Sequence, residues 1–114
     1  MFAGKETRIL LKGQAKEAYF ELKKRSDKEA RTILNSFNRV KKILRENPQF
    51  GDPIRKELIP DVLKRAGVQN LYRIELSNYW RLLYTIQGNE IFIFLFILNI
   101  VDHKEYNKLL GYKS

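Results

Sequence analysis

Three strand-like segments follow one another in the second half of the chain, and they limit the possible folds more than any other feature. They span residues 71–76, 80–86 and 91–98, and each is rich in β-branched, aromatic and other apolar residues. Only Ser77-Asn78-Tyr79 separates the first two, and Gln87-Gly88-Asn89 follows the second. Strands joined by connections this short pair in antiparallel fashion. We therefore predict a small antiparallel sheet.

The alternation of side chains predicts which way these strands face. One face carries Tyr72, Ile74, Leu76, Trp80, Leu82, Tyr84 and Ile86. Because a tight turn makes two strands match apolar face to apolar face, Arg73, Glu75 and Arg81 are expected on the other face, away from the helices. Glu75 should lie opposite Arg81, with Arg73 one cross-strand step further along. Residues 91–98 are apolar on both faces, which is typical of a strand inside the sheet.

The N-terminal half predicts one strand and two helices. Residues 7–11 form the expected strand, and helical spacing follows at Ala15, Ala18, Tyr19 and Leu22. A second helix is expected to begin at Ser26, whose hydroxyl would cap the first-turn amides while Glu29 reaches back to the Ser26 amide in a capping box. It should end at Asn47-Pro48, because a proline disfavours the helical conformation of the residue before it.

The remaining segments complete the predicted order of elements. Residues 50–53 are expected to form a turn, and residues 54–68 a connecting loop with at most one helical turn. Asp102 should cap a short last helix that packs on the sheet through Tyr106, Leu109 and Leu110. The result is an α+β fold of order β-α-α-β-β-β-α, in which an N-terminal strand and an αα-hairpin pack on the sheet.

Composition narrows the classes of function. The chain has 114 residues, which suits a single domain over residues 1–114, and a net charge of +9. That charge favours nucleic acid or an acidic protein as partner, although lysines spread over solvated helix faces would give the same balance. With no cysteine and one histidine, disulfides, thiolate nucleophiles and His- or Cys-based metal clusters are excluded, and we expect no cofactor. The absence of a long apolar segment favours a cytoplasmic protein.

At the level of motifs, the chain resembles the RelE/ParE superfamily of toxins from type II toxin–antitoxin systems. The resemblance rests on the order of elements, the basic charge and Leu71-Tyr72-Arg73-Ile74-Glu75-Leu76-Ser77-Asn78-Tyr79-Trp80-Arg81-Leu82-Leu83-Tyr84. An apolar strand and a C-terminal segment with His103 and Tyr106 then follow. The resemblance covers nearly the whole chain and is most specific over residues 71–106.

The resemblance implies a function as well as a fold. Ribonuclease members of this group cut messenger RNA on the ribosome without a metal and are neutralised by a cognate antitoxin. Other members poison DNA gyrase or have lost activity. A RelE-like endoribonuclease is therefore the leading expectation, with messenger RNA and an antitoxin as partners and no membrane association. A gyrase inhibitor or a non-catalytic binding module is the alternative.

Two arginines are the candidates for binding the scissile phosphate. Arg81 resembles the arginine that the family carries in its third strand, and its planar guanidinium suits phosphate oxygens. The alternative is a simple cross-strand pair with Glu75. Arg73 falls where many family nucleases carry a basic residue, or it is an ordinary solvated sheet residue.

The C-terminal segment supplies the candidates for proton transfer. His103 belongs to the residue type that most often acts as base at neutral pH, and several family members use a histidine here. A first-turn histidine without a role is the alternative. Tyr106 resembles a family tyrosine that stacks on a base or assists proton transfer, although its spacing from the leucines also fits a core residue.

Three further residues are candidates for holding the RNA. Glu75 stands where some family enzymes carry a lysine; a carboxylate cannot stabilise a phosphorane, but it can orient an arginine or act as base. Arg55 and Lys56, in the segment before the sheet, could contact the RNA backbone, or they are simply solvated.

Overall fold

The computed structural model describes residues 5–88 and 91–111, whose strands form one five-stranded sheet. The strands are β1 (Glu6–Leu11), β2 (Asp52–Pro53), β3 (Tyr72–Glu75), β4 (Arg81–Gly88) and β5 (Phe92–Val101). The helices in the described residues are α1 (Gly13–Lys24), α2 (Lys28–Glu46), α3 (Asp61–Arg65) and α4 (His103–Leu110), with 3₁₀ turns at Lys56–Leu58 and Ser77–Tyr79. The predicted α+β class is confirmed. Asn89, assigned to a turn, lies outside the described residues.

The sheet differs from the prediction in the direction of its first strand. The strand order is β1-β5-β4-β3-β2, and β1 runs parallel to β5, with Glu6 beside Phe92 and Leu11 beside Ile97. The other pairs are antiparallel, so the sheet is mixed rather than antiparallel. Side-chain alternation has the same period in both kinds of strand pair, which is why the sequence did not reveal the direction of β1.

Helices α1 and α2 pack on one face of the sheet, which we call the helix face. Its core joins buried residues of both helices with those of the strands: Ala15, Leu22, Ala30, Ile33, Phe37, Val40, Leu44, Ile74, Leu76, Leu82, Tyr84, Leu95, Ile97 and Ile100. The predicted αα-hairpin is confirmed. Burial of these side chains is the main contribution that holds the hairpin to the sheet.

A second, smaller core lies on the other side of the sheet, which we call the opposite face. It is built from Ile59, Val68, Leu71, Leu83, Val101, Tyr106 and Leu110. Residues 54–68, predicted as a loop with at most one helical turn, contain a 3₁₀ turn and α3. They and α4 cover the β3–β4 half of this face. On this half of the opposite face, a packed layer thus covers part of the sheet surface on which the alternation pattern predicted charged residues.

A bulge in β5 changes the face on which its last residues lie. Leu83 of β4 pairs with Asn99, but the next residue, Tyr84, pairs with Ile97, so Leu98 is an extra residue. Such a bulge reverses the alternation of the side chains beyond it. Ile97 and Ile100 therefore both lie in the helix-face core. Val101 joins the core of the opposite face.

Helix α2 begins one residue later than the capping box predicts. Its N-cap is Asp27, whose carboxylate accepts a hydrogen bond from the Ala30 amide at 3.2 Å. Arg25 donates to the same carboxylate and to Glu29, at 2.8 Å each, and its bonds to Asp27, with that from the Ala30 amide, lower the pKa of Asp27 to about 2. The Ser26 capping box is therefore wrong: Glu29 pairs with Arg25 instead.

The predicted cap of α4 is confirmed, since Asp102 accepts from the Glu105 amide at 2.9 Å. Among the described helices, none is both long and apolar enough to cross a membrane.

Candidate functional site

The hairpin of β3 and β4 brings the predicted charged residues together on the opposite face. Glu75 pairs with Arg81 and Arg73 with Leu83, which is the predicted register. The turn between the strands is a 3₁₀ turn with positive φ at Asn78 (58°) and Tyr79 (63°). An asparagine tolerates this conformation, whereas a tyrosine is uncommon there. The turn therefore holds Tyr79 in an unusual orientation beside the charged residues.

Arg81 is mostly buried and makes several contacts within the hairpin. Its Nη1 donates to the carbonyl oxygens of Tyr79 at 2.8 Å and Trp80 at 3.3 Å. Its Nε is buried and has no hydrogen-bond acceptor among the described residues. Its Nη2 lies 3.8 Å from Glu75 Oε1, and the Glu75 side chain is 69% exposed. Such a long, solvated ion pair contributes only about 0–1 kcal/mol. Nη2 is thus the part of Arg81 that an incoming anion can reach.

Arg73 lies beside Arg81 and is more accessible, with 34% of its side chain exposed. Its Nη1 donates to the Tyr106 hydroxyl at 3.4 Å, and its Nη2 lies 3.7 Å from Asp52 Oδ2. The hydrogen bond to Tyr106 raises the pKa of Arg73 above its ordinary value. The guanidinium is therefore a permanent positive charge in a fixed position.

The ring of Tyr106 lies next to both guanidiniums. The Arg81 Cζ is 5.6 Å and the Arg73 Cζ 6.0 Å from the centre of the ring, within the range of cation–π attraction. Tyr106 is 3% exposed and belongs to the core of the opposite face. The predicted core packing is confirmed. A ring this deeply buried cannot stack on an incoming base, so it positions the two arginines.

His103 lies in solvent at the first residue of α4, close to the same cluster. Its ring is in edge contact with the ring of Tyr79, with 6.1 Å between centroids. Tyr79 is 74% exposed. Because the Tyr79 carbonyl also accepts from Arg81, the turn links the histidine to the arginines. Of the four residues predicted as catalytic, Arg73 and Arg81 thus contact the ring of Tyr106, and His103 is linked to Arg81 through Tyr79.

Two of the predicted RNA-binding residues show no link to this cluster. Arg55 pairs with Glu57 through Nε and Oε1 at 3.0 Å, and its side chain is 78% exposed. Lys56 is exposed at the start of the 3₁₀ turn Lys56–Leu58. They precede Ile59, which anchors this segment to the opposite face.

A shallow pocket adjoins Arg73 on the side away from Arg81. It has a volume of about 310 Å³ and is lined by Phe50, Gly51, Asp52, Arg73, Ile74 and Glu75. Phe50 is 49% exposed at its rim. An exposed ring beside a fixed cation is a suitable surface for a nucleotide, since rings stack on bases and cations bind phosphates.

Sequence reasoning gave too little weight to Tyr79 and did not find Asp52. Tyr79 occupies a turn, and only its positive φ and the position of α4 show that it meets His103. Asp52 meets Arg73 because β2 pairs with β3, and a two-residue strand leaves no periodic signal.

In the part of the chain that the structure describes, no group of three or more His, Cys, Asp or Glu residues could hold a metal ion. Comparison with protein-family models, curated proteins and solved structures finds no match to this chain.

Proposed function

We propose that this chain is a RelE-like toxin, a metal-independent endoribonuclease that cleaves ribosome-bound messenger RNA and is neutralised by a cognate antitoxin. The observation that carries the proposal is the convergence of Arg73 and Arg81 on one buried ring, with an exposed His103 at the start of the next helix. Cleavage of a phosphodiester without a metal needs fixed positive charge and a base beside it. The net charge of +9 also favours a polyanionic substrate.

The reaction follows from the chemistry of RNA. The 2′-oxygen attacks the adjacent phosphorus, the bond from phosphorus to the 5′-oxygen breaks, and the products are a 2′,3′-cyclic phosphate and a free 5′-hydroxyl. We assign removal of the 2′-proton to His103, the exposed imidazole of the cluster. Arg73 and Arg81 Nη2 stabilise the extra negative charge on the phosphorane. A water molecule gives a proton to the departing 5′-oxygen, whereas the buried Tyr106, whose hydroxyl contacts Arg73 at 3.4 Å, positions the arginines.

Other residues of the cluster prepare the site. Glu75 holds Arg81 Nη2 when no RNA is bound and gives it up to the phosphate, because their ion pair is long and solvated. Tyr79, with its exposed ring, stacks on a base next to the scissile bond. Arg81 Nη1 stays on the turn carbonyls, so Arg81 offers one nitrogen rather than two to the phosphate.

The proposal is tested with purified protein and a short single-stranded RNA, with and without ribosomes. We expect a 2′,3′-cyclic phosphate end by mass spectrometry. The rate should fall roughly 10²–10⁴-fold in His103→Ala, as for loss of a general base, and by about 10²–10³-fold in Arg81→Ala. Lys104→Ala and Arg39→Ala are matched controls, because they remove exposed cations of α4 and α2 outside the cluster.

Growth provides a second readout in cells. Induced wild-type protein should arrest growth and leave cut transcripts, and coexpression of the antitoxin should reverse both effects. A double variant of His103→Ala and Arg81→Ala that remains fully toxic would remove the nuclease proposal. DNA breaks with intact transcripts would select a gyrase inhibitor instead.

The contacts of Arg81 favour a second candidate function. Its bonds to the Tyr79 and Trp80 carbonyls give it a structural role in the hairpin turn, whatever else it does. A non-catalytic binding module of the same fold would need only that role. Free expression of the wild-type protein without an antitoxin, together with intact RNA in the purified assay, would support this candidate.

A further inference from the structure

A row of aromatic rings lies on the opposite face, at the other end of β5 from the candidate site. We call Phe92, Phe94 and Phe96 the aromatic stripe. Ring centroids are 5.8 Å apart for the first pair and 6.1 Å for the second, and the rings of Phe94 and Phe96 are nearly parallel, at 14°. All three are partly exposed. Alternate positions of one strand thus present a ladder of rings.

Two cations from β1 and the residue after it lie over the rings at the ends of this ladder. The Arg8 Cζ is 4.1 Å from the centre of the Phe92 ring, and the Lys12 Nζ is 4.3 Å from that of Phe96. Both residues are exposed. The parallel pairing of β1 with β5 is what sets them beside the stripe. Arg8 also pairs with Glu6, Nε to Oε2 at 3.0 Å, which partly neutralises its charge, whereas Lys12 borders the Phe96 ring directly.

The layer that covers the rest of the opposite face stops short of the stripe. Among the described residues, the core under α4 and residues 54–68 reaches β5 at Leu98 and Val101, and it does not include the three rings. Helices α1 and α2 pack on the helix face, on the other side of the sheet. Partly exposed aromatic surface of this kind commonly marks a binding site.

A pocket begins where the stripe ends. It has a volume of about 390 Å³, and Lys12, Phe96, Gln87 and Asn99 are among its lining residues. The size is within the range of small-molecule sites. Asn99 Oδ1 is buried and has no hydrogen-bond donor among the described residues. A buried acceptor without a partner costs free energy, and a ligand with an amino group would satisfy it.

We propose that the aromatic stripe is a stacking platform for single-stranded RNA and that one base enters the pocket beside Phe96, where Asn99 accepts a hydrogen bond from its amino group. The inference rests on the proposed function, because it identifies where the substrate lies beyond the cleavage site. Rings that stack on bases beside cations that bind phosphates form the usual surface for single-stranded nucleic acid. An acidic protein would match the charge but not the ladder of rings.

The position of the stripe fits one path for the RNA. Strand residues rise about 3.3 Å each, so β5 carries the stripe at its start and reaches Arg81 at its end, where Arg81 pairs with Val101. Both surfaces belong to the opposite face. Because α4 and residues 54–68 cover β5 at Leu98 and Val101, an RNA bound at the rings and the pocket reaches the arginine cluster by passing over that layer.

The test measures binding apart from cleavage. A fluorescent single-stranded oligoadenylate, whose bases carry amino groups, is titrated by anisotropy with protein that carries His103→Ala. Adding Phe94→Leu should weaken binding roughly 5- to 150-fold, the range for loss of one stacked base. Phe94→Tyr keeps a ring and should bind as before. Phe20→Leu is the matched control, since it removes an exposed ring from α1 on the helix face.

Salt dependence gives a second readout. Lys12→Gln should reduce the slope of log affinity against log salt by about 0.7, the value for one contact with a single-stranded phosphate. Lys42→Gln, on the exposed face of α2, should leave the slope unchanged.

Two results would overturn the stripe proposal. One is unchanged oligoadenylate affinity in Phe94→Leu, which selects a second copy of the chain as occupant if the variant also abolishes wild-type self-association. The other is an equal loss of affinity in Phe94→Tyr. Failure of the two proposals can be told apart. If cleavage depends on His103 but RNA binding does not depend on the rings, only the stripe proposal fails. If RNA binding depends on the rings but the wild type does not cleave RNA, only the nuclease proposal fails.

Discussion

Tyr84 joins the sheet to the end of α2, and its hydroxyl provides a sharp test of the core on the helix face. The side chain is 0% exposed. Its hydroxyl donates to the Pro48 carbonyl at 2.7 Å and accepts from the Gly51 amide at 2.9 Å. Burial of the phenol disfavours its charged form and raises the pKa of Tyr84 from 10.0 to about 12. The neutral phenol is therefore part of the folded state.

The raised pKa predicts a loss of stability at alkaline pH. Below pH 10 the phenol is neutral in both states, and its contribution to the free energy of unfolding is fully present. Between pH 10 and about 12 the unfolded chain ionises while the folded protein stays neutral, so stability falls as pH rises. Two pKa units correspond to about 2.7 kcal/mol. That is the loss we assign to Tyr84 once the pH exceeds its folded pKa.

Tyr84→Phe separates this effect from the titration of other groups. The variant leaves the buried Pro48 carbonyl and Gly51 amide without their partner, at about 1–3 kcal/mol each. We expect it to be less stable than wild type by about 2–6 kcal/mol at neutral pH. The gap should narrow by about 2.7 kcal/mol between pH 10 and about 12, because only the wild type loses this contribution.

The assay is urea unfolding of wild type and Tyr84→Phe, followed by circular dichroism over a series of pH values. Lysines and other tyrosines titrate in both proteins, so the difference between the two free energies isolates Tyr84. A gap that stays constant up to pH 12 would refute the reasoning, because it would mean that the folded phenol ionises as easily as the unfolded one.

Two further predictions concern the backbone around the sheet and α2. Gly51→Ala would bring a Cβ to 2.9 Å from Tyr84 and 3.0 Å from the Arg73 carbonyl oxygen, so thermal unfolding should show a loss of about 1–3 kcal/mol, and unchanged stability would contradict this packing. Asp27→Ala should lower the melting temperature because it removes the N-cap of α2, whereas Ser26→Ala should not, and the reverse result would restore the Ser26 cap.

Side-chain alternation was sufficient to predict the register of the hairpin. A one-residue slip would move Arg73 and Arg81 into the helix-face core, so burial on one side determines the pairing. The three-residue turn then leaves Glu75 opposite Arg81, as the structure has it. The sequence also predicted that α4 lies near these charged residues, because Asp102 starts that helix directly after β5.

Elements that lack periodicity could not be predicted in this way. Residues 52–53 and 61–65 are too short to show a strand or helix period, yet they form β2 and α3. The choice between Ser26 and Asp27 as cap depends on a neighbour, since Arg25 binds both Asp27 and Glu29 and draws Glu29 away from a capping box. The aromatic stripe was visible as apolar alternation, but its exposure depends on where the covering layer ends.

The bulge at Leu98 explains how one strand serves both proposed surfaces. Without it, strict alternation from Phe92 would continue to Leu98 and Ile100, and Val101 would turn to the helix face. The extra residue instead keeps Val101 on the opposite face, in contact with the core that contains Tyr106. Helix α4 leaves β5 immediately afterwards and so packs on the side that carries Arg73 and Arg81. The rings and Val101, the partner of Arg81, therefore lie on the same face of β5, and an RNA that contacts both surfaces has to cross the layer that covers Leu98 and Val101.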